Sequence, residues 1–159
     1  MKTVLPEPAT QNDFLADYVE MLCRCHKLWT GHELVDPSLS RLDAAFYVYA
    51  APYAVLAHDA SVDPVFTYAN QTALKLFDVD WLTLMGLPSR LSAEPVNQEA
   101  RQRLLDEVTT QGYIADYSGV RISRTLRRFQ IDNATVWNLV DPYGHSMGQA
   151  AMFAQWRYV

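Results

Sequence analysis

Residues 54–77 read AVLAHDASVDPVFTYANQTALKLF, and the fold turns on this stretch. Two short apolar runs, 54–57 and 65–68, flank a segment in which Asp59, Asp63 and Pro64 favour chain reversal. A β-hairpin is the expectation. Asn70 then stands before the apolar-periodic run 71–77, where its side chain is suited to cap a short helix. Asp80 repeats the pattern for 81–85, and Gly86 supplies a left-handed stop before Pro88.

Downstream, Asn97 reads as the cap of a longer helix carrying Ala100, Leu104, Leu105 and Val108 as its buried stripe, with Gly112 ending it. Three strand-like runs follow, 113–123, 128–140 and 146–157, the last two joined by the turn Asp141-Pro142-Tyr143-Gly144. Consecutive strands with short turns pair antiparallel, since parallel neighbours need long crossovers. Upstream, Thr10 with Asp13 reads as a capping box for a helix bearing Phe14, Tyr18, Met21, Leu22, Cys25 and Trp29, which runs to Gly31. Ser40 with Asp43 opens a second helix, lined by Leu42, Phe46, Tyr49 and Tyr53 and limited by Pro52. The sequence therefore predicts an α+β fold: a five-stranded antiparallel sheet with helices on one face, preceded by two N-terminal helices. Its parts are a flexible arm over 1–9, a helical segment over 10–53 and a core over 54–159 in one domain.

At 159 residues with 50% hydrophobic content, the chain has enough apolar material for one full core. A net charge of −5 offers no uniform basic face for a phosphate backbone, which argues against a nucleic-acid partner. Its six glycines form neither a Walker loop nor a GxGxxG array. The longest apolar run, 44–57, contains Pro52 and is short of the roughly 18 residues a membrane span needs. Only Lys2 stands before Pro6 and Pro8, without the pattern of a signal peptide, so the expected location is the cytoplasm.

This order of elements resembles that of PAS domains, with Tyr68-Ala69-Asn70-Gln71-Thr72-Ala73-Leu74 placed where they pass from the second strand to the first helix. The stretches LPSRLSAEP (87–95), DYSGVRIS (116–123), VWN (136–138) and GQAA (148–151) are similar to the MEKHLA family. That PAS-like group occurs at the C-terminus of plant class III homeodomain-leucine zipper regulators and as stand-alone bacterial proteins. The resemblance spans about residues 12–157 and implies a domain that senses a chemical, redox or light signal. Thr125-Leu126-Arg127 stand at the hairpin where the family would lead one to expect a glycine. The 159 residues contain no homeodomain or zipper, so the resemblance implies no DNA-binding role here.

Cys23-Arg24-Cys25-His26 has the look of a metal motif, but residues two apart on a helix point away from each other. No cysteine follows residue 25, which removes the adduct-forming thiol of light-oxygen-voltage domains. Trp81, Trp137, Phe153 and Trp156 are candidates to stack on a flavin, with core packing the plainer reading. Haem needs an axial histidine, and none of His26, His32, His58 and His145 lies in the helix before the meander. His58 and His145 are expected at exposed turns. His58 and Asp59 with Ser89 or Ser92 suggest acid-base or nucleophilic chemistry, but the turn-forming role of Asp59 and Asp63 is the stronger reading and no GxSxG elbow is present.

The loop 89–95 places Arg90, two hydroxyls and Glu94 beside the expected pocket. Arg90 either clamps a ligand carboxylate or pairs with Glu94 or Asp116. With Arg90, the candidate ligand-binding residues are Ser92, Tyr117, Arg121, Asn138 and Gln149. Asn138 faces away from Trp137 because neighbours alternate across the pleat. Arg121, Arg124, Arg127 and Arg128 form a positive patch, read as solvated. The leading reading is a sensory or regulatory module that binds a small apolar or amphiphilic molecule between sheet and helices, repacks the N-terminal helix, forms a homodimer and signals to a downstream protein. Such a site calls for a cavity of roughly 300 Å³. The alternatives are a ligand-free interaction or dimerisation module and an NTF2-like enzyme, the latter disfavoured because its helices come first.

Overall fold

The computed structural model describes residues 4–159, so the first three residues of the expected arm, Lys2 included, lie outside it. In chain order the elements are α1 (Ala16–Thr30), α2 (Arg41–Ala50), β1 (Ala54–His58), β2 (Phe66–Ala69), α3 (Gln71–Leu76), α4 (Trp81–Leu84), α5 (Pro95–Gln111), β3 (Tyr113–Ile122), β4 (Arg128–Val140), β5 (Ser146–Phe153) and β6 (Gln155–Tyr158). All strand pairs are antiparallel, in the order β2-β1-β5-β4-β3, with β6 beside β4.

The α+β architecture is as expected, with six strands in place of five. The run read as one last strand is broken at Ala154, yet β5 and β6 keep one register along β4, with Thr135 opposite Met152 and Asp132 opposite Gln155. The break faces Asn133, whose φ of 55° lifts one residue of β4 out of the ladder.

The sheet is covered on both sides. Val136 packs with Leu104, Leu105 and Val108 of α5, while its neighbour Trp137 points the other way and meets His26 of α1 edge-on at 4.9 Å. The backbone reinforces this second layer: Trp29 Nε1 donates to the Asn138 carbonyl at 2.9 Å, and Arg24 donates to that of Val140 at 2.7 Å. The helix α1 thus folds over the chain's own sheet. β2 serves both layers. A register shift opposite Ala57 and His58 turns Phe66 toward α3–α5 and Tyr68 toward α1, where it stacks on Tyr18 at 5.5 Å.

Several helix boundaries depart from expectation for identifiable reasons. Asn12 accepts from the Ala9 N–H and donates to the Glu7 carbonyl, closing a local turn that competes with helix, and Asp13, Phe14 and Leu15 all adopt positive φ. The α-helix therefore starts at Ala16, not at Thr10. Residues 4–9 are tied to the domain where Leu5 accepts from Trp81 Nε1 and Glu7 from the Tyr49 hydroxyl. Ser40, Asn70 and Asp80 cap as expected. In α2 the buried side is Ala45, Val48 and Tyr49, leaving Leu42 and Phe46 about half exposed, because Asn70 grips the Val48 carbonyl and Glu7 the Tyr49 hydroxyl.

Helix α5 begins three residues earlier than expected, with Glu94 at the cap position in place of Asn97. Pro95 is pre-set for the first turn, and Glu94 is held by Arg128 at 2.6 Å. At the tip of the β3–β4 hairpin, Leu126 itself takes the left-handed conformation (φ 67°) that a glycine would have supplied.

Candidate functional site

Between α5 and the sheet lies a cavity of about 80 Å³. Its apolar wall includes Leu56, Phe66, Phe77, Leu104, Ile131 and Phe153, and its polar lining is His58, Ser92, Arg101, Tyr117, Arg121 and Gln149. This falls short of the roughly 300 Å³ that the sequence reading called for, because the side chains of α5 and the sheet fill most of the space between them.

The structure brings together four of the six residues singled out from sequence: Ser92, Tyr117, Arg121 and Gln149. Asn138 lies one step back and accepts from Gln149 Nε2 at 3.1 Å. Arg90 is exposed outside the cavity and pairs with Asp63 at 3.2 Å, not with Glu94 or Asp116. Arg121 departs from the expected solvated patch. It turns inward from β3 and donates to the Tyr117 hydroxyl at 3.0 Å, while Arg124, Arg127 and Arg128 stay at the surface.

Sequence reasoning missed Arg101 and misplaced His58. Arg101 stands three and four residues before Leu104 and Leu105, which sets it in the buried stripe of α5, whereas Ala100 faces out. His58 is not at an exposed turn. It is the last residue of β1, opposite Gln149 of β5, which in turn sits opposite Asn138 of β4. These three polar side chains form a row across three strands on the α5 side.

The row belongs to a longer hydrogen-bond chain whose direction is set at one end by arginine, which only donates. Arg101 donates to Ser89 Oγ at 2.8 Å, the Ser89 hydroxyl donates to His58 Nδ1 at 2.7 Å, and His58 Nε2–H donates to Gln149 Oε1 at 3.1 Å. Gln149 Nε2 donates to Asn138 Oδ1, and Asn138 Nδ2 donates to the Val108 carbonyl at 2.9 Å, near the end of α5. With one ring nitrogen accepting and the other donating, His58 is neutral. Burial pushes its pKa down from 6.5 to about 4, and the nearby Arg101 charge adds to the shift.

The Ser89–His58 pair suggested by sequence is real as a contact, but its surroundings are not those of a hydrolase. Ser89 is fully buried, and the second nitrogen of His58 faces an amide where a triad places a carboxylate. Asp59 accepts from Ser61 and from the Val65 backbone within its own turn.

The depressed His58 pKa has a thermodynamic consequence. The unfolded chain takes up a proton that the folded state refuses, so this contribution to stability is complete above the unfolded value of 6.5 and is lost as pH falls toward 4. Between about pH 7 and pH 5 the domain is expected to lose about 2 kcal/mol through this group. Urea unfolding at both pH values, on wild type and His58→Gln, checks it: the variant should show a shallower pH dependence, and equal slopes would refute the assignment.

Cys25 is buried with Sγ 3.3 Å from the Val140 nitrogen, Cys23 is half-buried, and among the described residues no three of His, Cys, Asp and Glu converge as a metal site. No helix of the described residues is long and apolar enough to cross a membrane.

The PAS-like arrangement is matched by solved structures. A PAS domain from Colwellia psychrerythraea superposes with a TM-score of 0.61 at 13% identity, covering 72% of this chain and 92% of that one. The light-oxygen-voltage domain of Aureochrome1 gives 0.55 at 18% identity, covering 78% and 88%. These likenesses establish the fold. The family model of the MEKHLA domain matches residues 16–158. The chain belongs to the MEKHLA domain family. Among curated relatives of this MEKHLA domain, rice homeobox-leucine zipper protein HOX29 is 26% identical over the whole chain, and Arabidopsis thaliana homeobox-leucine zipper protein ATHB-14 is 30% identical over 62% of it. The chain spans 18% of the first and 12% of the second, so it corresponds to one part of those proteins.

The light-oxygen-voltage neighbours raise the question of a flavin, and the residues of this MEKHLA domain do not fit one. Of the four aromatics that sequence offered for stacking, only Phe153 lines the cavity. Trp137 lies beneath α1, and Trp81 packs edge-on against Tyr68.

Proposed function

We propose that this MEKHLA domain is a sensory or regulatory module that binds a small amphiphilic molecule between α5 and the sheet and transmits occupancy to α1. The observation that carries the reading is the lining of this small cavity, in which His58, Arg101, Tyr117, Arg121 and Gln149 meet apolar walls. A route to α1 is available at Asn138. Its side chain ends the hydrogen-bond chain from the cavity, and its backbone carbonyl accepts from Trp29 of α1. A ligand shifts the packing of α1 only to the extent that it binds the two arrangements unequally. The cavity volume favours a ligand of few heavy atoms. It equally gives weight to the second reading, a ligand-free interaction module that acts as a homodimer or through a downstream protein.

Native mass spectrometry of the purified protein, repeated after denaturation, decides between them. The sensor predicts a small bound mass that is released on denaturation. A clean apo mass leaves a weakly held metabolite or the interaction module, and an apo dimer that binds no added small molecule is the result the interaction module requires.

A further inference from the structure

Two arginines line the same small cavity, and both are only 8% exposed. Burying a guanidinium is expensive unless a carboxylate neutralises it. Five exposed arginines, Arg41, Arg90, Arg103, Arg128 and Arg157, each find one, and Arg24, Arg124 and Arg127, which pair with no carboxylate among the described residues, stay in contact with water. Arg101 and Arg121 are buried and find no carboxylate among them. Among the described residues Arg101 bonds only to Ser89 Oγ, and Arg121 only to the Val120 carbonyl and the Tyr117 hydroxyl, with its guanidinium 5.5 Å from the Tyr117 ring centre. These are neutral acceptors, and a guanidinium has five N–H donors. His58 is uncharged and its two nitrogens are already engaged with Ser89 and Gln149, so it offers no compensation. Burial and then the field of Arg121 bring Arg101 down to about 10, and the Asp63 carboxylate, itself paired with Arg90, offsets this only in part.

From this geometry we infer that the ligand of this cavity is a small organic carboxylate, its head group held between Arg101 and Arg121 and its short apolar tail against Leu56, Phe77 and Phe153. The inference rests on the ligand-binding reading above and gives it a chemical class. A planar carboxylate matches the guanidinium fork and supplies the missing negative charge. The apolar walls favour an organic acid over a bare oxyanion, which has no surface to bury there. The volume of about 80 Å³ restricts the tail to a few carbons.

The test compares butyrate, its neutral isostere butyramide and inorganic phosphate by thermal melting and by ligand-observed NMR at neutral pH. Butyrate is expected to bind about tenfold more tightly than butyramide, the difference a charge-assisted pair makes. Arg121→Met is expected to abolish that preference and, by removing an uncompensated buried charge, to raise the melting temperature of the free protein. Arg101→Met should also abolish the preference. Equal binding of butyrate and butyramide, or a neutral mass released in the native spectrum, overturns the carboxylate while leaving the sensor intact. Phosphate binding as tight as butyrate overturns the organic acid in favour of an oxyanion. A lower melting temperature and an unchanged butyrate preference in Arg121→Met would make that arginine a structural residue and overturn the site. A clean apo mass with no response to any of the three probes removes the ligand reading as a whole.

Discussion

Replacing Asn70 with alanine is expected to destabilise the domain by about 4 kcal/mol, several times the roughly 1 kcal/mol that loss of an ordinary helix cap costs. The residue is fully buried, and its side chain uses its whole bonding capacity. Oδ1 accepts from the Ala73 nitrogen, capping α3, and from the Val55 nitrogen in β1, at 3.1 and 3.0 Å. Nδ2 donates to the carbonyls of Val48 in α2 and Tyr53 just before β1, at 3.0 and 2.7 Å. One side chain therefore clasps a helix end, a strand and a helix start, and alanine strands backbone groups in all three. Asn70→Asp keeps the two acceptor bonds but loses both donors, so it should also be strongly destabilised. Chemical denaturation of the three proteins measures this, and an alanine cost near 1 kcal/mol would mean that Asn70 is only a cap.

Gly148→Ala is expected to cost about 3 kcal/mol, lowering the melting temperature by about 10 °C. Gly148 has a φ of +127°, and a Cβ there would lie 1.9 Å from the His58 carbonyl oxygen and 3.0 Å from the Asp59 Cα. Both are backbone atoms, so no side chain can swing aside, and β1 must separate from β5 where His58 faces Gln149. The damage therefore extends to the hydrogen-bond chain at the cavity. Gly144→Ala is the control. It too has a positive φ, of 86°, but open space around the added carbon, so it should cost only about 1 kcal/mol. Calorimetry of both variants tests the difference, and similar losses would mean that backbone conformation, not the close approach to β1, constrains Gly148.

The elements that sequence revealed best were those with local chemistry. Ser40, Asn70 and Asp80 announce their helices by side chains that bond within three residues, and the turn at 59–64 is built by Asp59 as its composition suggests. The boundaries that shifted were set by distant partners. Arg128, the first residue of β4 and remote from Glu94 in sequence, fixes Glu94, and the break at Ala154 answers to Asn133 on the neighbouring strand. The site was half legible for the same reason. Tyr117, Arg121 and Gln149 stood out as polar residues in strands. His58 was hidden because its burial depends on α5, and Arg101 because an arginine in an apolar stripe reads as an intrusion until the cavity beside it is seen. Its spacing to Leu104 and Leu105 was the available signal.

The helix α1 lies on the face of the sheet opposite α5, with Trp137 and Tyr68 beneath it. In the language of recognition, α1 is a partner this chain carries in cis. Tethering gives it an effective concentration that a free helix of equal intrinsic affinity must exceed before it can displace α1. Displacement would uncover an aromatic surface of the kind that anchors protein interfaces. The back of the sheet is thus a surface already filled by the chain's own helix.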